Sequence, residues 1–99
     1  MVKRKVVVGI SASTSVAEAA FFIESKGLVT TAEKFSDDVH DFLANLGDER
    51  KSYPFCRDEK RMVLGLKCVT FRKKYTVVFI ETQKTIHVRE FIPSKMIWW

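Results

Sequence analysis

Apolar positions along the chain change their period once, near Met62. Before that point they recur three and four residues apart, and after it on alternate residues, so helices precede a run of strands. Val16, Ala19, Ala20 and Ile23 predict a first amphipathic helix. Ser15 and Glu18 stand ahead of it at capping-box spacing, and Gly27 supplies its left-handed stop. Phe35, Val39, Phe42, Leu43 and Leu46 form a second helical stripe. Thr30 and Glu33 are a second capping box, and Gly47 ends that helix. Asp37, Asp38 and Asp41 fall on its wet face, and the stripe itself reads as core. The short link after Gly27 makes the two helices an antiparallel hairpin.

Ahead of the helices, the β-branched run from Lys5 to Ile10 predicts a strand. A polar connection with Pro54 in its middle follows them. Then Leu64, Leu66 and Cys68, next Tyr75, Val77 and Phe79, and last Ile86 and Val88 alternate with their neighbours. Turns at Arg72–Lys74 and near Thr82–Lys84 join three antiparallel strands. The predicted order is β-α-α-β-β-β. It is an α+β fold in which a two-helix hairpin packs on one face of a four-stranded, mainly antiparallel sheet, in a single domain over 1–99. If Ile86 and Val88 face the helices, His87 and Arg89 project to the open face. Leu66 and Cys68 read as inward, which places Lys67 on that open face too. The third strand is apolar on both sides, so its period does not choose a face.

Composition narrows the class. With 46% hydrophobic residues and eight Phe in 99 residues, the chain can bury a core without staples. Cys56 and Cys68 are expected as free thiols of a cytoplasmic protein, with a lone disulfide as the alternative. The apolar run at the start stops at Ile10, short of a signal peptide, and no window approaches a membrane span. Charge is divided unevenly. Residues 1–49 carry five Lys/Arg against eight Asp/Glu, a balance of −3, and residues 50–99 carry twelve against four, a balance of +8. A basic half beside an acidic one suits a polyanion or an acidic partner, or simply solvated strand faces. No glycine-rich phosphate loop, zinc spacing or nucleophile with an evident base is present. Metal and nucleotide cofactors are therefore not expected.

Three segments, in order, resemble the RelE/ParE superfamily of type II toxin–antitoxin ("plasmid stabilization") proteins. They are SASTSVAEAAFFIESKG, TAEKFSDDVHDFLANLG, and KCVTFRKKYTVVFIETQKTIHVREFIPSKM. The resemblance covers roughly residues 5–96. It implies a growth-inhibiting toxin neutralised by a cognate antitoxin protein. The target would be DNA gyrase for ParE-like members, or mRNA in the ribosome for RelE-like endoribonucleases.

Cleavage of RNA by its 2′-hydroxyl needs a base, an acid and cations for the developing charge. RelE-like proteins are expected to carry an Arg after the third-strand Tyr. Here that position is Thr76, which supplies no guanidinium fork. If the chain is a nuclease, Lys67, His87 and Arg89 are its candidate catalytic residues, with His87 the acid/base candidate. Each also reads as an ordinary exposed strand residue. Arg72, Lys73, Lys95 and Trp98 are candidates for contact with nucleic acid or another target. Met96 departs from the family's second cation there. Trp98 and Trp99 either stack on a base, fill a partner's groove, or fold back on the core. The missing arginine favours the ParE-like reading, in which the toxin inhibits by binding. An endoribonuclease and a nontoxic binding module are the alternatives.

Overall fold

The computed structural model describes residues 4–48 and 50–96. Strand β1 (Lys5–Val8) leads into helices α1 (Ile10–Ser25) and α2 (Val29–Asn45). A short helix α3 (Glu59–Val63) then precedes strands β2 (Lys67–Phe71), β3 (Tyr75–Glu81) and β4 (Thr85–Pro93), and a 3-10 turn follows at Ser94–Met96. The sheet order is β1-β4-β3-β2. β1 runs parallel to β4, and the other pairs are antiparallel. This is the expected α+β layout with one helix added.

The helices start earlier than the capping boxes imply. Gly9 is extended, its N–H still bonds Val88 of β4, and its carbonyl accepts from Ser13. The turn from strand to helix is thus made at Gly9. Ser15 and Glu18 lie inside α1, and the strand stops at Val8 instead of Ile10. α2 begins at Val29, with Leu28 as its N-cap and no side-chain cap, so Thr30 and Glu33 cap nothing either. At the other end of α1 the glycine acts as expected. Gly27 takes a φ of 82°, the left-handed stop. Gly47 is needed for a different reason: a Cβ there would run into the carbonyl of Arg4, whose N–H bonds the Gly47 oxygen at 2.9 Å.

The main core lies between the helices and one sheet face. Ala12 and Val16 of α1 and Phe35, Val39, Leu43 and Leu46 meet Val77, Phe79, Ile86, Val88 and Phe91. Fully burying each large member stabilises the fold by roughly 1.5–3 kcal/mol. Phe35 meets the rings of Phe71, Tyr75 and Phe91. Between Val88 and Phe91 the β3–β4 register slips by one residue, so that both side chains reach this core.

A second, smaller core occupies the opposite face. Cys56, Leu66, Cys68 and Val78 form it, with Ile80 at its margin. The connection after α2 causes it by returning along the outer edge of β2: Cys56 N–H bonds Leu66 O at 2.9 Å, and Cys68 N–H bonds Pro54 O at 3.3 Å. That path sets Cys56 beside Cys68, and the two are joined as a disulfide rather than free thiols. It also reverses the expected faces of β2. Cys68 and Leu66 look away from the helices, while Val69 and Phe71 look toward them. Helix α3, within the polar connection, is capped by the Asp58 side chain, which accepts from Arg61 N–H at 3.2 Å.

Candidate functional site

Lys67 opens β2 opposite Phe79 and therefore projects on the helix-facing side of the sheet, not the open face. Its Nζ donates to Glu81 Oε1 at 2.7 Å and lies 5.3 Å from the centre of the Phe55 ring. Arg4 holds the other Glu81 oxygen. Burial pushes the Glu81 carboxyl up, but Lys67 and Arg4 outweigh it and hold the group below its ordinary value. Lys67 thus belongs to an ion triad that ties the residue before β1 to β2 and β3.

His87 is exposed on β4 and paired with Val7 and Ile80. Arg89 is the extra residue of the bulge, also exposed, at a shallow cleft of about 340 Å³ with Leu64, Leu66 and Glu90. The residues proposed for catalysis therefore do not form one site, since Lys67 is separated from His87 by the sheet itself. His40 lies on α2, exposed, beside Ser13, Val16 and Leu43.

Thr76 is 1% exposed. Its hydroxyl shares a 2.9 Å hydrogen bond with Ser94 Oγ, and the Ser94 N–H donates to Lys74 O at 2.8 Å. The strand-three position where the resemblance implies an arginine is filled by a hydroxyl pair that seals the end of β4 against β3. Beside it, Pro54, Phe55, Arg57, Cys68, Val69, Thr70 and Thr76 line a cleft of about 480 Å³. Arg57 and Thr70 escape a reading of the sequence, because the chain reaches this cleft only through the return along β2.

The basic candidates gather at the β2–β3 turn. Arg72 and Lys73 have φ values of 53° and 62°, and Lys74 N–H closes the turn onto Phe71 O at 3.2 Å. This is the left-handed pair of a primed hairpin turn, whose twist matches that of the strands. Arg72 is engaged within the fold: its guanidinium pairs with Asp38 of α2 and lies over the Phe71 ring. Lys73 and Lys74 face Lys95, Ser94, Pro93 and Tyr75 across a cleft of about 390 Å³. Among the described residues, no carboxylate lies within ion-pair distance of these three ammonium groups. Three such groups around one hollow suit an anionic surface. Trp98 lies outside the described residues. Among those described, no His, Cys, Asp or Glu cluster fits a metal ion, and no helix is long and apolar enough to cross a membrane.

No protein-family model matches the chain, and no curated protein matches it. Among solved structures it is similar to a chain of the chromosomal ParDE TA system from P. aeruginosa. The TM-score is 0.74 at 14% identity, covering 92% of this chain and 96% of that one. At that identity the likeness is one of fold, over nearly the full length of both chains.

Proposed function

Proceeding from this ParE-type fold, we propose that the chain is the toxin of a type II toxin–antitoxin pair, neutralised by a cognate antitoxin and inhibiting its target by binding. The observation that carries the reading is the shared architecture with a ParDE chain over nearly the full length of both. Two features of this chain support a partner protein and a binding mode. Phe21 and Phe22 are 70% and 61% exposed on α1, an apolar surface of the kind that proteins cover. Thr76 is buried against Ser94 and Lys67 is turned to the helix-facing side, so of the residues named for RNA cleavage only His87 and Arg89 share the open face. DNA gyrase is the proposed target, with Lys73, Lys74 and Lys95 as its basic contact surface.

Induced expression is expected to arrest growth, and the purified protein to inhibit gyrase supercoiling while mRNA stays intact by primer extension. K73A/K95A is expected to weaken gyrase inhibition at least tenfold. Codon-phased mRNA cleavage by the wild type, lost in H87A/R89A, would replace this reading with the endoribonuclease. Normal growth with gyrase unaffected would leave a nontoxic binding module.

A further inference from the structure

The segment between Cys56 and Cys68 carries α3 across the sheet face opposite the two-helix layer. Its apolar support is thin. The buried members of the small core are Cys56, Leu66, Cys68 and Val78, so the two half-cystines are half of it. Met62, Val63 and Leu64 of the segment expose much of their apolar surface. The other ties are polar: the Asp58 cap, the Arg61–Glu90 ion pair and the two backbone bonds at the mouth of the loop. The two sulfur atoms are unequally placed. Cys56 has no exposed surface, whereas Cys68 lines the 480 Å³ cleft together with Arg57. Cys68 is 8% exposed, and a cleft lined by Cys68 and Arg57 offers an incoming thiolate a route toward the disulfide and a countercharge.

We propose that Cys56–Cys68 is a thiol–disulfide exchange site, a reversible latch through which a dithiol reductant releases the α3 segment from the sheet. A thiolate of the reductant attacks Cys68 Sγ and the S–S bond breaks. The electron pair leaves on Cys56 Sγ, which takes a proton. The reductant's second thiolate then displaces Cys68 from the mixed disulfide, so that two cysteine thiols and the oxidised reductant remain. Release uncovers Val78 and Ile80 and removes the Arg57 wall of the cleft beside Thr76. The inference rests on this geometry alone and holds whatever the target.

The test compares full-length protein before and after treatment with dithiothreitol or thioredoxin. The untreated protein is expected to show no reactive thiol and a mass two hydrogens below its reduced form. On reduction, amide exchange across residues 56–66 is expected to rise at least tenfold, while Val77–Phe79 and both long helices keep their protection. Brief exposure to glutathione is expected to place the mixed disulfide on the Cys68 peptide. Free thiols in protein handled under oxidising conditions, or unchanged exchange in the segment on reduction, would overturn the latch. So would global unfolding on reduction. Adducts on Cys56 instead would overturn the assigned route of attack.

Discussion

Lys73 holds a φ of 62° although it is not glycine, and Arg72 beside it holds 53°. For an L-residue the left-handed region costs roughly 1–2 kcal/mol, because Cβ crowds the following carbonyl. Arg72 recovers part of that cost through Asp38 and the Phe71 ring, whereas Lys73 has no ion-pair partner among the described residues. Lys73→Gly is therefore expected to stabilise the fold by about 1 kcal/mol, or about 4–8 °C in Tm for a domain of this size. A thermal melt followed by circular dichroism checks it, and an unchanged or lowered Tm would mean that the turn is not strained. The basic run in the sequence marks the turn correctly. It does not reveal that one of its cations is tied to α2, because Asp38 lies 34 residues away.

Among the elements, α3 depends most on what surrounds it. Five residues cannot sustain a helix alone, because nucleation fixes several residues for one hydrogen bond. Arg61 supplies the anchor: its Nε and Nη2 reach both Glu90 oxygens at 2.9 and 3.2 Å, and Nη1 reaches Asp58 at 3.1 Å. Arg61→Ala is expected to cost about 1.5–3 kcal/mol, the range for hydrogen bonds to charged groups, and to speed chymotryptic cleavage at Leu64 severalfold. Equal cleavage of variant and wild type would sink this account of α3. The bulge that brings Glu90 into reach had a signal in the sequence. Ile86 and Val88 are followed by Phe91, a step of three within a period of two. The helix starts had a misleading one, since Ser-x-x-Glu spacing suits a helix interior as well as its cap.

Across the whole molecule, two carboxylates are held by cations below their ordinary values. Hydrogen bonds from the Arg50 side chain and backbone hold Asp48 at about 2 against an ordinary 3.8, and Glu81 also lies below its ordinary 4.5. Both folded values lie below the unfolded ones, so their contribution is complete above about pH 5 and is lost as pH falls toward 2. Urea midpoints are expected to be flat from pH 7 to about 5 and to fall steeply below 4, with a shallower acid slope in Asp48→Asn. A midpoint that rises on acidification, or an unchanged slope in the variant, would contradict this.

The identities and order of the main elements follow from the sequence alone, because helix and strand periods are local and each long element buries one continuous stripe. The Phe35–Leu46 stripe, the outward His87 and the β-α-α-β-β-β order are local in this sense. Where a residue's meaning depends on a partner far along the chain, only the tertiary structure decides. Lys67 takes its face from the second core and its partner from Glu81. Thr76 is sealed by Ser94, and Cys56 meets Cys68 because a polar connection turns back along β2. A sheet with a core on each face has no polar side to mark its register, so alternation alone assigns β2 either way up.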